Sequence, residues 1–171
     1  MTRIVSQLPV FILTVLIAFA SSLSWAAEGS TRPIVFILAG QSNMDGRGDG
    51  SALTSEDQHR LEAVRDRVHL AYNGASPAPL GATTPLGHIA RRFELELVFG
   101  PELVFGFRMA EAFPDRDVLL IKRSLGGTSL YGAWHPQWTA ERAKLMNEAD
   151  RPRLFGELVA DIVRVLGERP L

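Results

Sequence analysis

Cysteine is absent from all 171 residues, so a disulfide framework, a thiolate nucleophile and a cysteine-held metal are all excluded. The absence does not fix a compartment, because an exported domain with an ordinary core needs no disulfide. Neither sign of charge prevails. Eighteen Lys and Arg stand against 19 Asp and Glu, a formal net charge of −1, and no basic run or stripe interrupts the balance. That removes the electrostatic footprint of nucleic-acid binding and gives no reason to expect an anionic membrane surface as partner. A phosphate cradle is missing too. The one glycine-rich charged stretch, Asp45-Gly46-Arg47-Gly48-Asp49-Gly50, lacks the Gly-Lys-Ser/Thr ending, and its two aspartates would repel phosphate.

Charge is scarcest at the start. Arg3 is the only charged residue before Glu28, and Leu8 to Ala20 is apolar apart from Thr14 and a proline. Ser24 and Ala26 then place small residues where a signal peptidase reads them, ahead of Ala27. A charged start, a short apolar centre and a small-residue exit describe a secretory signal peptide over residues 1–26. A retained anchor is the competing reading, but the apolar centre falls short of the roughly 20 residues a spanning helix needs. The expectation is a secreted or periplasmic protein whose mature domain covers residues 27–171, with no stable membrane association after cleavage.

Within that domain the chain is organised around Ile34-Val35-Phe36-Ile37-Leu38-Ala39-Gly40-Gln41-Ser42-Asn43-Met44. The unbroken apolar run predicts a fully buried central strand. It stops at Gly40, and Ser42 follows between amide side chains. A serine there suits a nucleophile at the carboxyl end of a parallel strand. The same spacing suits an ordinary polar turn in which Ser42 caps a helix.

Further along, Ser55-Glu56-Asp57-Gln58 has capping-box spacing and predicts a short surface helix toward Arg67. Val68 to Tyr72 reads as a second strand ended by Asn73-Gly74. Residues 75–95 show no period and read as a long loop. Glu-Leu-Val-Phe-Gly occurs at 96–100 and again at 102–106, too few copies for a repeat architecture. Pro101 and Glu102 suit a first helical turn, with Leu103, Phe107, Ala110 and Phe113 on one face. Val118 to Ile121 is the next buried strand, and it leads into Ser124-Leu125-Gly126-Gly127-Thr128-Ser129-Leu130. A strand–helix–strand unit of this length implies a right-handed parallel crossover, which puts Gly126-Gly127 on the same rim as Ser42. After Pro152, Leu154, Phe155, Leu158, Val159, Ile162, Val163 and Leu166 form one stripe of a helix, opposite Glu157, Asp161 and Arg164.

Three blocks, Gly40-Gln41-Ser42-Asn43-Met44, Gly100-Pro101-Glu102 and Ser124 to Leu130 with Trp134 after it, resemble in their order the sialate O-acetylesterase domain, which includes the family 6 carbohydrate esterases of the SGNH hydrolase superfamily. The resemblance implies an α/β fold, a three-layer αβα arrangement on a flavodoxin-like parallel sheet. It implies hydrolysis of O-acetyl esters on a carbohydrate, as a sialate O-acetylesterase or an acetylxylan esterase does, through an acyl-serine intermediate and without metal or organic cofactor. Ser42 would be the nucleophile. The N–H groups of Ser42 and of Gly126 or Gly127 would form the oxyanion hole, and Gln41, Asn43 and Trp134 would meet the substrate. Read without the resemblance, Gly126-Gly127 is equally a plain tight turn.

The chain departs from that pattern in one respect. The family carries its base in an Asp-x-x-His motif near the carboxyl terminus, preceded by a Trp-x-Gln-Gly-Glu-Ser-Asp-like block. That block does not occur here, and the Asp-x-x-His spacing of Asp66-Arg67-Val68-His69 falls far from the carboxyl terminus, at the start of the second strand. The sheet is therefore expected to be incomplete, the domain an amino-terminal portion. Of the four histidines, His59, His69, His88 and His135, only His135 stands near the expected rim. A carbohydrate-binding remnant without turnover is the alternative to an active esterase.

Overall fold

The computed structural model describes residues 32–85 and 87–167; the leader read over residues 1–26 lies outside them. Strand β1 (Ile34–Gly40) leads into a single helical turn, α1 (Ser42–Asp45). A two-residue strand β2 (Gly48–Asp49) and a 3₁₀ turn follow, then helix α2 (Ser55–Val64) and strand β3 (Val68–Tyr72). Next come β4 (Ala78–Pro79), α3 (Gly87–Phe93), β5 (Val98–Phe99) and α4 (Pro101–Ala112). Strand β6 (Val118–Ser124), α5 (Ala140–Leu145) and α6 (Leu154–Gly167) complete the order.

The main sheet runs β1-β6-β3-β4. β6 pairs in parallel with both β1 and β3, and β4 closes the far edge as an antiparallel hairpin partner of β3. Alternation along the strands divides the apolar residues between two faces. Val68, Leu70, Val118 and Leu120 meet Leu103, Phe107 and Ala110 of α4 and Val64 of α2. Ala71, Leu119 and Ile121 meet Val165 of α6, with Val35 and Ile162 beside them. Helices on both faces of a mostly parallel sheet give the three-layer αβα arrangement expected from the sequence.

The position of β1 is a correction. The run was expected to be a fully buried central strand, but the central strand is β6, whose Val118 to Ile121 are at most 1% exposed. β1 lies at the sheet edge, and Ile37 is 43% exposed. An unbroken apolar run reports that both faces of a strand want cover, not how many neighbours it has. Among the described residues, no strand pairs with the outer edge of β1.

Three further elements differ from expectation. The capping box of α2 starts one residue earlier, with the Thr54 hydroxyl accepting from the Asp57 N–H and the Asp57 carboxylate accepting from the Thr54 N–H. The stretch 75–95 contains β4 and α3 rather than one long loop. The twin pentapeptides diverge: the copy at 96–100 contributes β5, while the copy at 102–106 lies inside α4. Pro101 at the first turn of α4 explains the second, because its fixed φ is already helical.

Helix α6 buries Leu154, Leu158 and Val165, while Phe155, Val159 and Val163 are exposed. Asp161, expected on the polar face, is buried and paired with Arg123 of β6 at 2.6 Å. Glu157 meets the same guanidinium at 2.5 Å. Arg164 donates to the carbonyls of Gly74 and Ala75, so its flank of α6 leans over the end of β3. Among the described residues, no helix is long and apolar enough to cross a membrane.

Candidate active site

The register of the two parallel strands builds the site. Gly40 of β1 stands opposite Ser124 of β6, and the pairing continues past both strands as the Leu125 N–H donates to the Gly40 carbonyl at 3.3 Å. Two segments therefore leave the sheet side by side at its carboxyl end. One enters α1 at Ser42; the other becomes the Gly126-Gly127 turn.

Helix α1 is one turn long. The N–H groups of Met44 and Asp45 both donate to the Gln41 carbonyl at 2.8 Å, and that of Gly46 to the Ser42 carbonyl at 3.2 Å. The Ser42 hydroxyl sits at the outer limit of hydrogen bonding to Gln41 Oε1, at 3.5 Å. Ser42 is half-buried, while Gln41 and Asn43 are exposed on either side. The turn ends at Gly46, which has φ of +83° and lies so close to Gly100 that a Cβ would stand 2.1 Å from the Gly100 Cα. Only glycine satisfies both conditions.

Gly126 is brought against Ser42. A Cβ built on Gly126 would stand 3.5 Å from Ser42 Cβ and 3.2 Å from an Asp45 carboxylate oxygen. Gly127 is different: its φ is +72°, and a Cβ there would meet open space. Of the two glycines, Gly126 is the one whose backbone borders the serine. Trp134 is only 9% exposed and belongs to the core with Leu154 and Leu158. Its indole N–H donates to the Thr128 hydroxyl at 3.1 Å, which in turn donates to the Leu125 carbonyl at 2.7 Å. That chain fixes the ring as one wall of an open cleft of about 230 Å³, lined also by Ala39, Gly40, Gln41, Thr128 and Leu130.

His135 is not at the serine. Its Nδ1 accepts from the Gln137 N–H at 3.0 Å, its Nε2 contacts the Arg142 guanidinium, and its ring meets Tyr131 edge-on. With one ring nitrogen engaged by its own loop and the other by Arg142 of α5, it does not stand ready for the Ser42 proton. His59 lies in α2 and His69 in β3, paired with Pro79. His88 falls in α3, and its side chain lies outside the described set.

Sequence reasoning missed the polar supports. Asn73 was read only as a turn residue, yet its amide exchanges hydrogen bonds with the Ser124 N–H and carbonyl at 2.9 and 3.0 Å. The Asn73-Gly74 pair is the signal that could have flagged it, since Asn before Gly tolerates the left-handed region, and its φ is +47°. Asp45 is half-buried beside Arg47, with one carboxylate oxygen that no described group bonds. Lys122 is buried in β6 against Glu102. Burial holds its ammonium below the ordinary lysine value, against the opposing pull of the Glu102 carboxylate. Burial likewise raises the Tyr72 hydroxyl. Among the described residues, no group of three or more histidine and acidic side chains could hold a metal ion.

A serine on a tight turn at the carboxyl end of the sheet, bordered by a glycine backbone and an open cleft, can support acyl transfer. The family model for carbohydrate esterase, sialic acid-specific acetylesterase matches residues 33–164. The chain belongs to this family. The match to the sialic acid-specific acetylesterases begins just before β1 and ends within α6, so it takes in Ser42, Gly126 and Trp134 together. It supports esterase activity in general. No curated protein and no solved structure matches the chain.

Proposed function

We propose that the protein hydrolyses O-acetyl esters on a carbohydrate through an acyl intermediate on Ser42. The observation that carries this reading is the juxtaposition of Ser42 with the Gly126 backbone at the paired ends of β1 and β6, inside the span the esterase family covers. Ser42 Oγ attacks the acetyl carbonyl, and the carbon–oxygen bond to the sugar breaks as the tetrahedral intermediate collapses. Backbone N–H groups of Ser42 and Gly126 are the candidates to hold the developing oxyanion. Gly126 suits that place because no Cβ intrudes between backbone and substrate. Gln41 and Trp134 border the cleft where the sugar would lie, and Asn43 is exposed next to the serine. Water then releases acetate and restores the serine.

The proton of Ser42 needs an acceptor, and none of the described histidine side chains bonds its hydroxyl. In a well-studied serine protease, loss of the base alone costs on the order of a million-fold in turnover. The chain is therefore expected to turn over slowly, and its acyl-enzyme, once formed from an activated ester, to persist. The engagement of His135 by Gln137 and Arg142 favours a second reading, carbohydrate binding without turnover.

Acetate release from O-acetylated sialic acid and from O-acetylated xylan, compared with the Ser42→Ala variant, separates the two. Release above the variant supports the esterase; sugar binding with release equal to the variant supports the second reading. Export with removal of residues 1–26 remains part of the proposal, and amino-terminal sequencing of extracytoplasmic protein tests it.

A further inference from the structure

Behind Ser42 the protein buries a charge pair that the ester chemistry does not touch. The side chains of Lys122 and Glu102 are 1% and 4% exposed, and their charged atoms lie 2.5 Å apart. Lys122 Nζ also donates to the carbonyl of Asp45, the last residue of α1, at 3.3 Å, and stands 4.6 Å from the centre of the Tyr72 ring. The other Glu102 oxygen accepts from the Gly100 N–H at 2.9 Å. A Cβ on Gly100 would come within 2.9 Å of both the Asp45 carbonyl and Lys122 Nζ, so three segments meet here without spare room. Stability alone does not call for such a pair, because well-packed apolar residues of similar volume often serve as well or better.

We propose that the Lys122–Glu102 pair is a positioning device for Ser42. The Lys122 ammonium, oriented by Glu102, holds the end of α1 onto the central strand and so sets the distance between Ser42 and Gly126. The proposal rests on the reading of Ser42 as the nucleophile. A helix of four residues has no stability of its own; what fixes its tilt must come from outside it. Lys122 lies on the same rigid strand that ends at Ser124 and delivers Gly126. One strand thus locates both partners, Gly126 through the backbone and Ser42 through the lysine side chain. A misplacement of about 1 Å between reacting groups can cost on the order of a hundredfold in rate.

The test replaces both charges together, Lys122→Met with Glu102→Gln, so that no lone charge is left buried and the Gly100 N–H keeps an acceptor. Two readouts are followed: hydrogen exchange at the Gly46 amide, which reports the integrity of α1, and the rate at which an aryl acetate acetylates Ser42. The expected result is a melting temperature close to the parent's and Gly46 exchange faster by about tenfold or more. The maximal acetylation rate falls by a similar factor while the half-saturating ester concentration stays unchanged. Glu102→Asp, which keeps both charges but draws the ammonium back by a methylene, is expected to fall between the two, and it decides the matter should the double variant fail to fold. A folded variant with parental exchange and parental acetylation overturns the proposal, as does a loss confined to half-saturation. If the parent takes up no acetyl on Ser42, the nucleophile reading fails, while the exchange comparison still decides whether the pair holds α1.

Discussion

Gly126 borders Ser42 so closely that a methyl group on it would reach 3.5 Å from the serine Cβ and 3.2 Å from an Asp45 carboxylate oxygen. The contact joins residues 84 positions apart, and it exists because β1 and β6 are parallel neighbours in register. Gly126→Ala is expected to slow acetylation of Ser42 by about tenfold or more, by pushing the backbone away from the reacting carbonyl, with a stability change within about 1 kcal/mol. Gly127→Ala should show the reverse. Its positive φ costs about 1–2 kcal/mol once a Cβ is present, with the smaller effect on rate. Thermal melts and acetylation rates of the two variants decide between these outcomes.

How the site came to be legible follows from what a single strand can report. The apolar runs identify β1 and β6, and the right-handed crossover rule puts Ser42 and Gly126 on one rim. The edge position of β1 was not legible, because burial on two faces leaves the same pattern whether a strand has one neighbour or two. Lys122 follows the apolar run Val118 to Ile121 and carries no local sign of a partner. Its partner, Glu102, stands twenty residues earlier at the start of a helix, and nothing local links them. Asp161 was placed on the solvent face of α6 for the same reason: only the fold brings Arg123 beneath it. The two Glu-Leu-Val-Phe-Gly copies make the point in one chain, since identical residues became a strand in one place and a helix in the other.

Arg123 binds α6 to the central strand through Asp161 and Glu157. Asp161 is nearly buried, so Arg123→Met leaves its carboxylate without a charged partner from β6. The expected loss is about 3 kcal/mol, near the lower end for breaking a buried pair because Glu157 remains partly in water. The melting temperature should fall accordingly. A variant as stable as the parent would show that α6 is held by its apolar contacts alone.

Acid should loosen the first turn of α2. The Thr54 hydroxyl and backbone N–H bond the Asp57 carboxylate and hold it below its ordinary value of 3.8. A depressed carboxylate adds stability that is present above the unfolded value and is lost as pH falls through the folded one. Protection of the Gln58 amide, which donates to the Thr54 carbonyl, is therefore expected to decline below about pH 3.8. In Asp57→Asn it should be weaker above that pH and flat through it. The same acid profile in both proteins would remove the capping box as the cause.

The outer edge of β1 and the exposed flank of α6 leave Ile37, Phe155, Val159 and Val163 in contact with solvent. Among the described residues that edge is unpaired, and an edge without proline or charge together with exposed apolar side chains favours association. The purified chain is expected to self-associate with rising concentration, and Val163→Lys with Ile37→Lys to reduce it. Light scattering that shows a monomer at all concentrations in the parent would contradict this.

The most direct test of the central claim is to find the acyl group. The protein is mixed with an aryl acetate, quenched in acid, digested and mapped by mass spectrometry, beside Ser42→Ala. The expected result is one acetyl group on the peptide carrying Ser42, formed faster than on any lysine and missing from the variant. Acetyl groups on lysines alone, at the same rate in both proteins, would contradict Ser42 as the nucleophile and with it the esterase reading of this site.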